Sequence, residues 1–90
     1  MIETSIEIVN RLGLHARAAA KLVHLASEFE SQVLLVAADG EEIDAKSILG
    51  ILLLAAGQGA RIVLRCSGPD ERRATDEIAA LFAERFGEGE

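Results

Sequence analysis

The chain is poor in aromatic residues: it has no tryptophan, no tyrosine and three phenylalanines. Its formal net charge at pH 7 is −6. Nucleic-acid modules that stack bases expose aromatic side chains, and a phosphate backbone repels an acidic protein. Both features argue against a nucleic-acid partner. Aliphatic side chains must therefore form the core, and a single domain of 90 residues is long enough to have one.

Cysteine is scarce as well, because Cys66 is the single one in the sequence. No intrachain disulfide can form, as is usual in a reducing cytosol, and we expect Cys66 to be a small core residue. The N-terminus lacks the basic and apolar regions of a signal peptide, and the apolar run 51–56 is too short to span a bilayer. We therefore expect a soluble, cytoplasmic protein that does not insert into membranes.

Hydrophobic periodicity predicts seven elements in the order β-α-β-β-α-β-α. The predicted strands cover 2–9, 32–38, 41–44 and 60–67, and the predicted helices cover 16–29, 48–56 and a segment from 69 onward. This order implies an α+β fold, a two-layer open-faced β-sandwich with three helices on one face of a four-stranded antiparallel sheet. We expect one domain over 1–90, a frayed polar tail at 87–90, and charged side chains on the open face: Glu3, Glu7, Arg61 and Arg65.

Individual residues mark the expected turns and helix ends. Asp39 and Gly40 predict a two-residue hairpin turn. Ser47 is a good N-cap for the middle helix, and Gly57 is expected to end that helix in a left-handed conformation. Pro69 fits the first turn of the last helix.

A histidine, His15, stands where the first helix is expected to begin. Backbone N–H groups at a helix start lack intrahelical partners, and the helix dipole adds partial positive charge, so such an end attracts anions, phosphate included. The imidazole is a nucleophile, and Arg17 can add charge-assisted hydrogen bonds, while Arg11 and Lys21 make this face locally basic. The residues alone leave two interpretations open: His15 carries a phosphoryl group, or it merely ends a loop.

The middle helix is unusually apolar, since Gly50 is its one residue without an apolar side chain. So small a two-layer domain cannot bury every side of a helix, so we expect Leu49, Leu52 or Leu53 to be at least partly exposed. Exposed contiguous aliphatic side chains usually mark a docking surface. The alternative that remains is a central, fully buried helix.

From about residue 6 to 86, the chain resembles HPr, the histidine-containing phosphocarrier family of the bacterial phosphoenolpyruvate-dependent sugar phosphotransferase system. The resemblance rests on the order of the elements, on two motifs with the separation found in that family, and on a matching segment that follows the second motif. They are Gly13-Leu14-His15-Ala16-Arg17, Lys46-Ser47-Ile48-Leu49-Gly50 and Leu54-Ala55-Ala56-Gly57-Gln58-Gly59.

The resemblance implies a role for each motif. His15 would receive a phosphoryl group on Nδ1 from Enzyme I and pass it to an enzyme IIA component, with help from Arg17. Ser47 would be the site of an HPr kinase/phosphorylase in cells that have that enzyme. The partner-binding residues would be Ile48, Leu49, Leu52, Ala18, Lys21 and His24. The protein would act as a monomeric phosphoryl-group carrier rather than as an enzyme.

Three positions depart from the family pattern. Ala18 replaces a common proline, which would loosen the first helical turn without removing function. His24 stands where a lysine is frequent, and the serine motif lies one residue later than in many relatives. A nitrogen-related paralogue, NPr, has the same fold and histidine, and its fit to the serine motif is poorer. A paralogue that lacks the histidine is excluded by His15.

Other site chemistry finds little support in the sequence. His24 lies nine residues from His15 on the opposite side of the predicted helix, so the two cannot share a metal, and we expect His24 at the surface. Arg11 is interpreted as a solvated loop charge. No cofactor or nucleotide motif is present. Two other classes stay open: a small-ligand module, and a regulatory interaction domain that uses Ser47 and the leucines.

Overall fold

A computed structural model describes residues 1–54 and 56–89. Within these ranges the elements follow the predicted order. The strands are β1 (Ile2–Glu7), β2 (Gln32–Val36), β3 (Glu42–Asp44) and β4 (Arg61–Ser67). The helices are α1 (Ala16–Ala26), α2 (Ile48–Leu54) and α3 (Glu71–Ala83), and a 3-10 turn follows at Arg85–Gly87. The predicted α+β sandwich is confirmed.

The sheet has the order β1-β4-β2-β3, and each neighbouring pair is antiparallel. Side chains along a strand alternate between its two faces, which buries Ile62, Leu64 and Cys66 of β4 on one side. Burial raises the pKa of the Cys66 thiol. The expectation that this cysteine is a core residue is therefore confirmed.

The other face of the sheet is open and charged, as the sequence predicted. The register of β1 and β4 places Glu3 opposite Arg65 and Glu7 opposite Arg61. Arg65 Nε donates to Glu3 Oε2 at 2.7 Å, and Arg65 Nη1 donates to Glu42 Oε2 at 2.7 Å. Exposed pairs of this kind add little stability. These ion pairs are consistent with the cross-strand register, and they leave this face of the sheet exposed.

The helices supply the second layer. Helix α3 packs on β1 and β4, and α1 contacts both α2 and α3. Buried residues of α1 recur at helical spacing: Ala18, Ala19, Leu22 and Ala26. The core side of α3 contributes Ala74, Ile78 and Phe82. Three of the four buried α1 residues are alanines, whose short side chains let other elements approach that helix closely.

Helix α1 is shorter than predicted, and it ends at Ala26 rather than near Phe29. The chain tightens at this point, because the N–H groups of Glu28 and Phe29 donate to carbonyls three residues earlier, Leu25 O at 3.0 Å and Ala26 O at 3.2 Å. Phe29 is still buried. Phe29 is therefore apolar because it belongs to the core, and not because it continues the helix.

The hairpin between β2 and β3 differs from the predicted two-residue turn. Ala37 N–H donates to Glu41 O at 2.9 Å, and Gly40 N–H donates back to Ala37 O at 2.9 Å. Three residues therefore lie between the paired positions, and Gly40 takes a left-handed φ of 90°. Asp39 Oδ1 accepts from Glu41 N–H at 2.9 Å and supports this longer turn.

The predictions for the two ends of α2 have different outcomes. Ser47 Oγ accepts a hydrogen bond from Gly50 N–H at 3.1 Å, so the predicted N-cap is confirmed. The predicted C-terminal end was wrong: α2 ends at Leu54, and Gly57 is not left-handed, whereas Gly59 has a φ of 89°. Ala55, which the prediction included in this helix, lies outside the described residues.

The start of α3 also differs from the prediction. Pro69 lies before the helix, and Asp70 holds the N-cap position without capping it through its side chain. The Asp70 carboxylate turns instead to another loop, where it accepts from the N–H groups of Glu30 and Ser31, both at 3.0 Å. Glu71 Oε1 accepts from Gly68 N–H at 3.1 Å. Asp70 and Glu71 therefore connect the start of α3 to the neighbouring loops.

Candidate functional site

His15 occupies the N-cap position of α1, with extended backbone angles (φ −75°, ψ 177°). Its carbonyl accepts the first helical hydrogen bond, from Ala19 N–H at 2.8 Å. Its side chain makes no capping bond, and the first turn holds no acidic residue. The helix geometry leaves the N–H groups at 16–18 without intrahelical partners beside the imidazole. The histidine therefore sits at a helix end suited to an anion, as predicted.

A tight loop sets this position. Gly13 has a left-handed φ of 66°, and a Cβ built on it would lie 2.6 Å from Ala56 O. The next residue, Leu14, is buried and donates its N–H to the same carbonyl at 2.9 Å. Only glycine fits at residue 13 without displacing the chain. The loop that carries His15 is thereby docked against the segment that follows α2.

The imidazole has a partner that the sequence analysis missed. Nε2 of His15 is hydrogen-bonded to Glu88 Oε2. The other carboxylate oxygen of Glu88 accepts from Asn10 Nδ2 at 3.1 Å. The hydrogen bond from His15 lowers the pKa of the Glu88 carboxyl, with help from Asn10 and from the charge of Lys21. Glu88 belongs to the segment that we expected to fray.

Asn10 links the two sides of this arrangement. It is fully buried, and its Nδ2 also donates to Gly13 O at 2.7 Å. Its amide therefore holds both the loop before His15 and the carboxylate of Glu88. The one sequence signal for the missed contact was Phe86, an apolar residue just before the predicted polar tail, which is buried and anchors that tail.

A cleft of about 400 Å³ opens beside this contact. It is lined by Arg11, Leu12, Arg17, Glu88 and Gly89. Arg17 is exposed in the first turn of α1, so its guanidinium is available to an incoming anion. Arg11 is exposed in the preceding loop and lines the same cleft. It therefore lies at the site, which its interpretation as a solvated loop charge did not anticipate.

Helix α2 presents an exposed apolar surface, which we call the leucine patch: Ile48, Leu49, Leu52 and Leu53. Leu49 and Leu53 are 66% and 74% exposed, whereas Ile51 on the inner side is fully buried. The predicted exposure is confirmed, and the fully buried alternative is excluded. The contact between Leu14 and Ala56 joins the His15 loop to the chain just beyond the patch.

The remaining predicted partner residues fall in different surroundings. Ala18 is fully buried, so its prediction as a partner-binding residue was wrong: it faces the core, and its side chain offers no surface. Lys21 directs its ammonium group to Phe86 O. His24 lies at the surface, with 85% of its side chain exposed and Nδ1 3.8 Å from Glu28 Oε2. Its expected surface position is confirmed.

Residues 1–54 and 56–89 contain neither a cluster of metal-binding side chains nor a membrane-spanning helix. No group of three or more His, Cys, Asp or Glu side chains is arranged to hold a metal ion. No helix in these ranges combines the length and apolarity that a bilayer crossing requires.

Comparison with known proteins gives a consistent result. A family model described as the PTS HPr component phosphorylation site matches residues 2–84. The chain is 52% identical over 90 residues to the phosphocarrier protein HPr of Cupriavidus necator, which covers 100% of both chains. It is 44% identical over 87 residues to the phosphocarrier protein NPr of Shewanella violacea, covering 97% of this chain and 94% of that one.

Among solved structures, HPr-C-His from Thermoanaerobacter tengcongensis has a TM-score of 0.94 to this chain. The two are 42% identical, and the alignment covers 100% of each. The similarity therefore extends over the whole fold and includes the segment that carries His15.

Proposed function

Because this chain belongs to the HPr family of phosphocarrier proteins, we propose that His15 accepts a phosphoryl group on Nδ1 from phosphorylated Enzyme I. The chain then passes that group to an enzyme IIA component during sugar uptake. The observation that supports this proposal most directly is the position of His15 at the N-cap of α1, beside helix N–H groups without intrahelical partners and near the cleft that Arg11 and Arg17 line. We place this relay in the cytoplasm and assign it to the monomer.

The chemical step needs a nucleophile and a way to hold negative charge. The lone pair of Nδ1 forms a bond to phosphorus, the donor's bond to phosphorus breaks, and its electron pair leaves with the donor. The phosphoryl oxygens then lie at the start of α1, where helix N–H groups and the Arg17 guanidinium can donate to them. We propose that the step uses no metal ion, because the helix N–H groups and the Arg17 guanidinium supply the positive charge that the phosphoryl oxygens need.

The leucine patch is proposed as the dock for Enzyme I and enzyme IIA. Its support is the exposure of Ile48, Leu49 and Leu52 together with the docking of the His15 loop against the end of α2. Leu49→Glu should weaken association with Enzyme I at least tenfold and leave the thermal midpoint nearly unchanged, since Leu49 is exposed. A matched variant, Val63→Glu, changes a half-buried residue on the open face and should not weaken association.

We also propose that Ser47 is a regulatory phosphorylation site where HPr kinase/phosphorylase is present. A phosphate on Oγ would stand at the first turn of α2, next to the leucine patch. It would repel acidic groups of a docking partner and oppose burial of the leucines.

A second assignment within the family is the nitrogen-related branch, since the relative from Shewanella violacea is an NPr. In that case the same histidine would serve a mainly regulatory relay. Phosphorylation rates with Enzyme I of the sugar branch and with its nitrogen-branch counterpart distinguish the two: the faster donor identifies the branch. A regulatory domain that transfers no phosphoryl group would react with neither donor.

Incubation with phosphoenolpyruvate and Enzyme I tests the transfer itself. Intact mass should increase by one phosphoryl group, and the addition should be lost in acid and retained in base, as phosphohistidine is. His15→Ala should remove the addition, and His24→Ala should retain it. An acid-stable addition, or one that persists in His15→Ala, would refute the proposal.

A further inference from the structure

The C-terminal segment is held in an unusual conformation next to His15. Arg85 and Phe86 are consecutive non-glycine residues with positive φ, 57° and 55°. Such conformations are costly for residues with a side chain and persist where the surroundings impose them. The chain reverses here after α3, and the reversal brings Glu88 back to the start of α1. The family model ends at residue 84, so this segment lies outside the matched motif.

Several contacts fix the reversal. Phe86 is 1% exposed and packs edge-to-face on Phe82, with ring centroids 4.9 Å apart. Lys21 donates to Phe86 O. Aromatic burial and this charge-assisted bond can offset the backbone cost. The tail is thereby tied to α1 and α3 immediately before Glu88.

Asn10 is oriented to receive that glutamate. Its two amide hydrogens go to Gly13 O and Glu88 Oε1, and its Oδ1 is buried without a hydrogen-bond donor among the described residues. Leaving a buried oxygen unsatisfied is unfavourable. The opposite orientation would aim Oδ1 at two other acceptors. The amide therefore holds the carboxylate in place even though its own oxygen is left unsatisfied.

The contact with Glu88 determines which ring nitrogen of His15 carries hydrogen. An ionised carboxylate only accepts hydrogen bonds, so Nε2 must be the donor. In the neutral ring the hydrogen then sits on Nε2, and the lone pair belongs to Nδ1. An orienting partner that fixes a histidine tautomer in this way is familiar from metal sites and acid–base catalysis.

We propose that Glu88 is a positioning residue: held by Asn10, it keeps the His15 ring in the form with hydrogen on Nε2 and so presents the Nδ1 lone pair to the phosphoryl donor. This inference rests on the proposed function. When Nδ1 bonds to phosphorus, the Nε2 hydrogen stays on the ring, which becomes positively charged. The carboxylate of Glu88 is already hydrogen-bonded to that hydrogen and balances the new charge without any proton leaving.

The test compares Glu88→Ala, Glu88→Gln and Glu84→Ala. Glu84 is an exposed residue of the same C-terminal segment, and its removal matches the change in charge. Imidazole 15N shifts at about pH 9, where histidine rings are neutral, report the tautomer before any phosphoryl transfer. Initial rates of phosphorylation by Enzyme I report its consequence, and thermal midpoints confirm that each variant is folded.

In Glu88→Ala, the two nitrogen shifts of His15 should move toward each other, and phosphorylation should slow about fivefold, or ~1 kcal/mol of barrier. Glu88→Gln retains an oxygen acceptor and should fall between Glu88→Ala and wild type in both measurements. Glu84→Ala should match wild type.

Unchanged His15 shifts in Glu88→Ala would overturn the inference, and so would a rate that is unchanged or faster, since a faster rate would mean that Glu88 shields the ring. A wild-type chain that accepts no phosphoryl group would refute the proposed function instead. The tautomer measurement would still decide the role of Glu88, because it uses the unphosphorylated protein.

Discussion

At the level of single residues, the site separates the group that reacts from the groups that support it. His15 has the helix N-terminus on its backbone side and Glu88 on Nε2. Arg17 contributes little to the core, because it is exposed in the first turn of α1. Its position in the cleft beside Glu88 suits it to an incoming phosphoryl group.

Arg17→Ala should therefore affect transfer and not folding. We expect phosphotransfer to slow at least tenfold, about 1.4 kcal/mol of barrier, with a thermal midpoint close to that of wild type. Quenched time courses with Enzyme I measure the transfer rate, and a melting curve measures the thermal midpoint. Arg72→Ala, an exposed arginine of α3, is the control and should change neither. A large loss of stability with unchanged transfer would show that Arg17 is structural.

At the level of elements, glycine and serine place the two functional segments. Gly13 lets the loop before α1 approach the chain after α2, and Ser47 starts α2 under the leucine patch. Only the second effect was visible in the sequence. The cap at Ser47 follows from a local pattern of residues. The close approach of Gly13 to Ala56 depends on packing between residues 43 positions apart, which no local pattern encodes.

Gly13→Ala should destabilise the fold by about 1–3 kcal/mol, because its φ is positive and its Cβ would meet a carbonyl oxygen. It should also slow phosphorylation by moving His15. Urea unfolding and transfer rates test both effects. Gly57→Ala is the matched control, since φ there is not left-handed and a Cβ would meet nothing within 4 Å. Equal stability of the two variants would contradict the account of this loop.

Ser47→Ala and Ser47→Asp separate capping from regulation. Loss of the cap in Ser47→Ala should cost about 0.5–2 kcal/mol of unfolding free energy, whereas Ser47→Asp should retain most of it, because aspartate caps well. Ser47→Asp should still bind Enzyme I more weakly, as its charge adjoins the leucine patch. Titration calorimetry measures the binding of each variant to Enzyme I, and chemical unfolding measures the stability of each variant. If Ser47→Asp bound Enzyme I as wild type does, only the capping role would survive.

At the level of the whole molecule, long-range polar contacts connect segments that lie far apart in the sequence. Asp70 joins the start of α3 to Glu30 and Ser31 before β2. The hydrogen bond from Ser31 lowers the pKa of the Asp70 carboxyl, with help from the backbone N–H groups. A lowered folded pKa means that this stabilisation is present above the unfolded pKa and is lost as pH falls through the folded value.

Asp70→Asn should therefore lower stability at neutral pH and flatten its decline in acid. Thermal midpoints measured at decreasing pH should converge for the variant and wild type as the pH falls through the folded pKa of the Asp70 carboxyl, because the wild-type group is then protonated. Asp76→Asn, an exposed residue of α3, should run parallel to wild type. Curves for Asp70→Asn that stay parallel to wild type would show that this carboxyl contributes no pH-dependent stability.

The fold was predictable because strand alternation and helical spacing are local and repeated, as in β4 and α1. The ends of elements were less predictable, because the tightening at Phe29 and the left-handed backbone at Gly59 depend on packing with other parts of the chain. The contact of Glu88 with His15 was missed for a stronger reason. It requires left-handed backbone at Arg85 and Phe86, residue types that do not favour that conformation, and it joins residues 73 positions apart.

The central claim is that Nδ1 of His15 carries the phosphoryl group, and NMR of the phosphorylated, 15N-labelled chain tests it most directly. After reaction with phosphoenolpyruvate and Enzyme I, nitrogen–phosphorus coupling should appear at Nδ1 of His15, while the exposed His24 on the same helix stays unmodified and serves as the internal reference. Coupling at Nε2 of His15 or at His24, or a phosphate found on Ser47 with none on His15, would contradict the account.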